Sequence, residues 1–438
     1  MNDTDPQSHP GPNIVPRSDH NISRANISRN AIKVLYRLNN AGYQAFLVGG
    51  GVRDLLLDRH PKDFDIATDA RPEEIRSLFG NCRLIGRRFR LAHVRFGREI
   101  IEVVTFRAAA NGEHKHRKRA DSGRILQDNV YGTIEEDIWR RDFTVNALYY
   151  SINDFTVWDY TSGMEDISKR TLRLIGDPET RYREDPVRML RAVRFSAKLN
   201  FDIAADTAAP IRSLGKLLRD VPPARLFEET LKLFHAGSAL RTLDLLIQFD
   251  LLQYLFPHAA DSLRLDSSGE ALAFLQAGLA NTDRRIKQDL AVTPMFLYAV
   301  LMWHPIVDRA AQNRERNDLS EIEALLKACD TIVSEQQSHT SYPRRFSVPM
   351  KDMLVMQGRL QNRRGMRALR LLTHKRFRAA YDFLLLRARC GEVDQELADW
   401  WTEVQTLSAA DQRKAFTINQ RRRRRRPSSG KSSASEAR

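Results

Sequence analysis

The chain has 438 residues, of which 42% are hydrophobic and 29% are charged, a composition typical of a globular protein with about two to four domains. No stretch approaches the roughly 18 consecutive apolar residues needed to cross a bilayer, and the N-terminus lacks the apolar core of a secretory signal. The composition therefore excludes an integral membrane protein and predicts a cytoplasmic location.

The formal net charge is +15 at pH 7, and such an excess of Lys and Arg attracts polyanions. Residues 420–438 hold eight basic residues and one acid, so this tail carries +7 and the rest of the chain +8. The charge favours a nucleic-acid partner for both parts, although the tail could instead be only a solvated appendage.

Three cysteines are present, Cys82, Cys329 and Cys390. They are far apart and lack the CxxC or Cys/His spacing of a metal site. The sequence therefore predicts reduced, buried thiols rather than disulfides or a zinc site.

Up to residue 160 the chain alternates between helix and strand patterns. Residues 1–28 are polar and aperiodic and predict a flexible arm, while the polar, basic segment 108–128 predicts a mobile loop. The elements predicted between and after these segments are helices 28–40, 52–57 and 72–79, strands 45–48, 64–66, 143–152 and 155–160, and a hairpin formed by 92–96 and 100–105.

After Gly176 the pattern is helical to about Leu407. The predicted fold class is α+β, with a mixed α/β head followed by an all-helical neck and body and a disordered basic tail. The predicted boundaries are an arm at 1–28, the head at 29–175, the neck at 176–255, the body at 256–415 and the tail at 416–438.

Three successive glycines, Gly49, Gly50 and Gly51, lie between a predicted strand and a predicted helix. Glycines let the backbone approach a ligand closely, and the start of a helix presents free N–H groups to an anion. This arrangement suits a nucleoside triphosphate, although a tight turn between a strand and a helix requires glycine in any case.

Two carboxylates follow about a dozen residues later, at Asp63 and Asp65. Because side chains alternate along a strand, both should project from one face, with Phe64 directed into the core. A divalent cation would relieve their repulsion, and two magnesium ions can activate an attacking hydroxyl and stabilise a leaving pyrophosphate. The alternative is that the pair is merely polar residues at a strand edge.

A third acid is expected, and there are two candidates. Glu102 lies on an otherwise apolar strand, where a lone carboxylate needs a partner, and Asp142 precedes another strand. The competing interpretations are ion pairs, for Asp142 with one of the two arginines directly before it and for Glu102 with Arg95 or Arg107.

A helix pattern begins near Pro186, and Asp185 could cap its free N–H groups. Arg188, Arg191 and Phe195 follow at steps of three and four on one face. There they could meet phosphates or a base edge, unless the arginines form only a solvated basic face.

Six segments occur in a fixed order between about residues 42 and 230: LVGGGVRDLLL, KDFDIAT, RRDFTVNALYY, GMEDISKRTLRLIGDP, REDPVRMLRAVRFSAKL and PPARLFEE. Together they resemble the class II nucleotidyltransferase superfamily, shared by bacterial poly(A) polymerases and tRNA CCA-adding enzymes. Segment 84–94, segment 364–382 and the arginine-rich C-terminus look like the poly(A) polymerase branch.

The resemblance implies template-independent addition of AMP from ATP to RNA 3′ ends, and with it a role in RNA turnover. The expected cofactor is Mg²⁺, with Mn²⁺ as the other candidate, and the expected partners are ATP and RNA 3′ ends. No membrane association is expected, and the sequence does not reveal protein partners. The alternatives are a tRNA CCA-adding enzyme and a non-catalytic RNA-binding protein on the same fold.

The resemblance also implies residue roles. Asp63 and Asp65 would bind the metals, and Asp142 is the third acid usually assigned in this branch, with Glu102 as its rival. The predicted nucleotide-binding residues are Gly49, Gly50, Gly51, Arg53, Asp54, Arg140, Arg141, Asp185, Arg188 and Arg191. From charge alone, the residues predicted to bind RNA are Arg421, Arg422, Arg423, Arg424, Arg425 and Arg426.

Overall fold

The structure is a computed structural model that describes residues 11–86, 90–108, 117–119, 125–128 and 130–417, with only the backbone described for 117–119, 125–128 and residue 317. The chain divides into two compact units. Unit 1 comprises Met1–Pro222 and Asp244–Tyr254, and unit 2 comprises Pro223–Leu243 and Leu255–Arg438. The predicted neck at 176–255 is therefore divided between the two units.

Unit 1 is built on a β-sheet. The strands of the described residues are β1 (Asn13–Val15), β2 (Ala45–Val48), β3 (Asp65–Thr68), β4 (Cys82–Ile85), β5 (Leu91–Phe96), β6 (Glu99–Thr105), β7 (Arg117–Arg119), β8 (Ile125–Asp128), β9 (Leu148–Ser151), β10 (Val157–Asp159), β11 (Thr171–Leu172) and β12 (Asp202–Ile203). Eight of them form one sheet in the order β1-β10-β9-β2-β3-β6-β5-β4.

The centre of this sheet sets the position of the acidic residues. β3 runs antiparallel to β2 and parallel to β6, while the other neighbours in the sheet are antiparallel. In this register Asp65 lies opposite Val48 on one side and Glu102 on the other. The end of β2 that leads into the glycine turn is thus level with two carboxylates.

Helices cover the sheet and complete unit 1. The first of them is capped by Ser28, whose hydroxyl accepts hydrogen bonds from the amides of Asn30 and Ala31, and it buries Val34 and Leu35 as its apolar periodicity predicts. The α-helices up to Pro222 are α1 (Arg29–Asn40), α2 (Gly50–Leu56), α3 (Pro72–Leu78), α4 (Ile134–Trp139), α5 (Gly163–Ser168), α6 (Pro178–Glu184), α7 (Val187–Leu199), α8 (Ala205–Ala208) and α9 (Ile211–Leu214).

Unit 2 is helical throughout its described residues. Aromatic side chains form part of its core, and the rings of Tyr298 and Tyr342 stack with their centroids 4.0 Å apart. The remaining helices are α10 (Pro223–Phe234), α11 (Ala239–Gln248), α12 (Leu252–Leu255), α13 (Pro257–Leu265), α14 (Glu270–Lys287), α15 (Pro294–Asn317), α16 (Glu321–Gln336), α17 (Arg344–Leu360), α18 (Gly365–Leu369), α19 (Phe377–Arg389), α20 (Gln395–Val404) and α21 (Ala409–Phe416). A mixed head and a helical body confirm the predicted α+β class.

Two segments predicted to lack structure contain strands. In the predicted arm, β1 pairs with β10 at the sheet edge, and the buried His20 lies with its Nε2 2.9 Å from the carbonyl oxygen of Phe155. In the predicted loop, β7 and β8 pair as a two-stranded antiparallel sheet. Both predictions were wrong for these residues. Pairing between strands satisfies the backbone N–H and C=O groups even where the side chains are polar and show no apolar periodicity.

Two strand boundaries also differ. β3 begins at Asp65, so Asp63 precedes the strand and is exposed, and Phe64 is only half-buried rather than directed into the core. The predicted strand 143–152 starts with a 3-10 turn at Thr144–Asn146 before β9.

Among the described residues, no helix is long and apolar enough to cross a membrane.

Candidate active site

The glycine turn joins β2 to α2. Gly49 has φ +69° and ψ −135°, a conformation that residues with a Cβ rarely adopt. A Cβ at Gly49 would lie 3.6 Å from Arg141 Nη1, and one at Gly51 would lie 3.5 Å from the carbonyl oxygen of Asp63. The turn therefore packs between an arginine and the segment that carries the first two acids.

Asp65 lies beside this turn, and two neighbouring carboxylates affect its pKa. Burial, together with the negative charges of Glu102 and Asp63, raises the pKa of Asp65 to about 6, while Arg141 opposes the shift. A carboxylate whose pKa rises in this way lies where its negative charge is poorly compensated by the protein. Asp65 is thus the centre of a negatively charged site.

Glu102 has a histidine partner. His93 lies opposite it on β5, and its Nε2 is 3.4 Å from Glu102 Oε2. The sequence had suggested Arg95 or Arg107 for this pairing. Glu102 also lies opposite Asp65 on β3, and its charge raises the pKa of Asp65.

Asp142 has a different environment. Arg191 donates to its Oδ2 through Nε at 2.7 Å and also through Nη2, while Oδ1 accepts hydrogen bonds from the amide of Phe143 at 2.8 Å and from Asn146 Nδ2 at 3.2 Å. Burial alone would raise the pKa of Asp142, but Arg191 and these hydrogen bonds lower it below its ordinary value. Of the two candidates for the third acid, Glu102 faces Asp65 and Asp142 is neutralised by Arg191 from α7.

Arg141 is held by two residues that the sequence did not single out. Asp137 accepts from its Nη2 at 3.0 Å and from its Nε at 3.2 Å, and the Tyr149 hydroxyl accepts from the same Nε at 2.7 Å. Tyr149 in turn donates to Asp137 at 2.5 Å. This network fixes the guanidinium beside the glycine turn, where its charge lowers the pKa of Asp65. The four-residue spacing of Asp137 and Arg141 was the available sequence signal.

Arg53 is directed into the protein. Its side chain is 3% exposed, and its Nε and Nη2 donate to Asp54 Oδ1 at 2.8 and 2.6 Å while Nη1 donates to Asn146 Oδ1 at 2.5 Å. These bonds tie α2 to the 3-10 turn before β9. Arg53 and Asp54 therefore hold the helix that follows the glycine turn in place, and their contact with the triphosphate stays a prediction.

The arginines of α6 and α7 brace the same region. Arg181 donates through Nη2 to the carbonyl oxygens of Arg140 and Arg141 at 3.0 and 2.6 Å. Arg188 donates to the Arg181 carbonyl oxygen at 2.7 Å and to Glu184 Oε2 at 2.8 Å. Arg181 was not predicted, because a bond to a backbone carbonyl oxygen leaves no mark in a sequence, whereas the four-residue spacing of Glu184 and Arg188 was an available signal.

Of the remaining predicted positions, Arg140 and Asp185 are described by the structure and the others are not. The carbonyl oxygen of Ala108 accepts a hydrogen bond from Arg140 Nη1 at 2.8 Å, and the carboxylate of Asp185 accepts one from the amide of Val187 at 3.3 Å, at the start of α7. The six tail arginines lie outside the described residues, and so do residues 87–89 of segment 84–94, which resembles the poly(A) polymerase branch.

Three family models match the chain. They are the Poly A polymerase head domain at residues 45–173, the probable RNA and SrmB-binding site of polymerase A at 200–263, and the polymerase A arginine-rich C-terminus at 317–432. Poly(A) polymerase I of Escherichia coli O6:H1 is 50% identical over 412 residues, which cover 93% of this chain and 88% of that protein. This chain belongs to the poly(A) polymerase I family.

Similarity to the CCA-adding branch is less extensive. The CCA-adding enzyme of Lactobacillus helveticus is 40% identical over 203 residues, 46% of this chain and 49% of that protein. A tRNA nucleotidyltransferase solved with a primer tRNA and an incoming ATP analog is 20% identical, with coverage of 85% and 98% and a TM-score of 0.55, and shares the fold. The prediction of the poly(A) polymerase branch is thus confirmed, and the site described above is that of a poly(A) polymerase I family member.

Proposed function

We propose that this chain transfers AMP from ATP to the 3′-hydroxyl of RNA without a template and releases pyrophosphate. The observation that carries the proposal is the negatively charged site around Asp65, set beside the glycine turn in a chain whose similarity to poly(A) polymerase I extends over almost its whole length. The RNA hydroxyl attacks the α-phosphorus directly, so no covalent enzyme intermediate is required.

The donor set fits a hard divalent cation. Its side chains are all carboxylates, and the pKa of Asp65 is raised by burial and by the negative charges of Glu102 and Asp63. Among the described residues, no three His, Cys, Asp or Glu side chains form a group that could hold a metal ion. Because Mg²⁺ is often bound through one or two carboxylates plus substrate phosphates, Asp63 and Asp65 would hold it together with the nucleotide.

We assign Asp63 and Asp65 as the metal-binding residues, with Glu102 as the third acid. Mg²⁺ is the expected ion, and Mn²⁺ is the alternative. When bound, the ions lower the pKa of the attacking hydroxyl and neutralise the departing pyrophosphate. In this assignment Asp142 does not bind the metal, and its carboxylate instead orients Arg191.

The rest of the site binds and orients the nucleotide. The backbone of Gly49, Gly50 and Gly51 approaches the triphosphate, and Arg141 offers its charge beside them because Asp137 and Tyr149 hold it there. Asp185 and Arg188 recognise the adenine edge, since a site built to hydrogen-bond one base rejects a base that leaves those groups unpaired. Arg53, Asp54 and Arg140 keep the surrounding backbone in place.

We retain the five predicted regions as functional divisions. The head at 29–175 performs the chemistry, the neck at 176–255 selects the nucleotide, and the body at 256–415 binds RNA together with the basic tail. A chain that lengthens RNA must hold a polyanion through repeated additions, which the net charge of +15 favours. Elongation of 3′ ends in this way would contribute to RNA turnover.

The proposal is tested with purified full-length protein, MgCl₂, an unstructured RNA and each nucleoside triphosphate supplied singly. We expect long extensions with ATP alone, no extension after chelation of the metal by EDTA, and recovery when Mg²⁺ or Mn²⁺ is restored. Addition of C followed by A, limited to tRNA ends, would instead assign the chain to CCA addition. RNA binding without any extension would indicate the non-catalytic alternative.

A further inference from the structure

Unit 2 contains a cavity of about 430 Å³, a volume within the usual range of sites for small ligands. It lies among α14, α15 and α19 and the connection that follows α14. Its basic lining residues are Arg285, Lys375, Arg376, Arg378 and Arg389. The site around Asp65 belongs to the other unit and shares none of these residues.

The cavity has a large excess of positive charge. Its one acidic lining residue, Asp382, already pairs with Arg378 at 3.1 Å. Arg285 donates to the Ala291 carbonyl oxygen. In the described part of the chain, no carboxylate lies within salt-bridge distance of Arg285, Lys375 or Arg389, all of which line the cavity. The lining is therefore suited to an anion with more than one charge.

The interior of the cavity is apolar and aromatic. Phe296 is half-buried, and its ring is fixed edge-on against Phe383 with centroids 5.7 Å apart. Met295, Leu297 and Leu386 also line the cavity. A planar apolar ligand can stack on such a fixed ring.

Polar atoms of the lining have unmet hydrogen-bonding capacity. His235 Nε2 and Arg376 Nε are buried, and neither has a hydrogen-bond partner within the described ranges. Buried polar atoms without partners cost free energy unless a ligand or water satisfies them. A ligand with a flat ring, polar ring edges and a negatively charged backbone would satisfy all three features of this cavity.

We propose that this cavity binds one nucleotide unit of single-stranded RNA. The base stacks on Phe296 against the apolar interior, His235 and Arg376 meet its polar edge, and Lys375 and Arg389 contact the flanking phosphates. The inference rests on the proposed function, because an enzyme that extends RNA must hold a strand whose bases are unpaired. It adds a specific anchoring site in the body, apart from the unspecific attraction of the basic tail.

Affinity for a fluorescent oligoadenylate is measured by anisotropy at several salt concentrations, with full-length protein and without ATP. Lys375→Ala combined with Arg389→Ala should weaken binding roughly tenfold and reduce the slope of log affinity against log salt by about 1.4, since each single-strand phosphate contact contributes about 0.7. Phe296→Leu keeps the side chain apolar but removes the stacking face, and should weaken binding roughly 5- to 100-fold.

The matched control is Arg314→Ala combined with Arg316→Ala. Both arginines are exposed in the last turn of α15 and do not line the cavity, so this variant removes the same charge and should bind RNA like the wild type. Equal losses in the two double variants would show only general attraction and overturn the proposal, as would unchanged affinity in the Phe296→Leu variant.

A second measurement uses the wild-type chain and so avoids any effect of substitution on folding. Oligoadenylate that carries one photoreactive 4-thiouridine is crosslinked, and the attached peptides are identified by mass spectrometry. Attachment near Phe296 or within residues 375–389 supports the cavity site. Protection of these peptides by ATP in place of RNA would assign the cavity to a free nucleotide and overturn the RNA assignment. Because no AMP transfer is measured, an inactive enzyme would leave both results interpretable.

Discussion

Two groups of carboxylates within unit 1 differ in the partners that the protein gives them. Asp137 and Asp142 each accept hydrogen bonds from an arginine that is held in place, Arg141 and Arg191 respectively. Two carboxylates raise the pKa of Asp65, and the opposing effect of Arg141 is smaller than that of either. Arginines of the protein therefore neutralise Asp137 and Asp142, whereas the charge of Asp65 is left to be balanced by a bound cation.

The pKa shifts run in opposite directions for this reason. Burial opposes the charged form of both Asp65 and Asp142, but Arg191 reverses the effect at Asp142, whose pKa falls, whereas at Asp65 the neighbouring acids add to it and its pKa rises to about 6. A buried acid with an arginine partner stabilises the structure, while a buried acid among other acids is typical of a functional site. The following substitutions test this division.

The largest effect is expected at Asp65. Asp65→Asn should reduce AMP addition by about 100- to 1,000-fold or more, because the substitution removes a charge that balances the catalytic cations. The thermal unfolding temperature should stay the same or rise, because an uncompensated buried charge is lost. Asp63→Ala is expected to have the same effect on activity, and RNA affinity serves as the control for both. Extension at the wild-type rate by either variant would refute the metal assignment.

Glu102 and Asp142 should respond differently to metal concentration. Glu102→Gln is expected to lower AMP addition about 10- to 100-fold at limiting Mg²⁺, with partial recovery as Mg²⁺ is raised, because the substitution weakens metal binding. Asp142→Asn should lower activity without such recovery. Rates measured across a Mg²⁺ titration separate the two, and recovery of the Asp142→Asn variant alone would make Asp142 the third acid.

Asp142 should matter more for stability. Asp142→Asn removes the negative charge that accepts the hydrogen bonds of Arg191 and should cost about 1–3 kcal/mol in the free energy of unfolding. Because the pKa of Asp142 is lowered on folding, its ionised form stabilises the protein above its ordinary pKa near 4, and that stabilisation is lost as the pH falls through the still lower folded value. The stability difference between wild type and variant should therefore be constant near neutrality and shrink below about pH 4. A difference that instead grew towards acid pH would contradict the arginine pairing.

The smallest effect is expected at Tyr149. Tyr149→Phe removes the hydroxyl that links Asp137 to Arg141 and should cost about 1 kcal/mol of stability, with a rise of a few fold in the KM for ATP as Arg141 becomes less ordered. Tyr160→Phe is the matched control, since it removes a hydroxyl that donates to Glu135 in the same unit. Equal KM changes in both variants would show that the network does not position Arg141.

Several features of the fold could be predicted because they depend on local sequence. The helix that begins after Ser28, the strand at 45–48 and the hairpin through Gly97 follow from capping, apolar periodicity and turn residues. The change to helices after Gly176 and the poly(A) polymerase branch were also evident from the sequence. The strand at the sheet edge in the predicted arm was missed, because pairing between backbones needs no particular side chains.

The sequence by itself determined which residue types could form the site: a glycine turn, two acids after it, and two further acids as alternatives. Only the tertiary structure decided their surroundings. Parallel pairing of β3 with β6 places Glu102 level with Asp65, while α7 brings Arg191 to Asp142 from 49 residues away in the chain. Both contacts join distant segments, and the charge state of a buried acid depends on such neighbours rather than on the residues next to it in sequence.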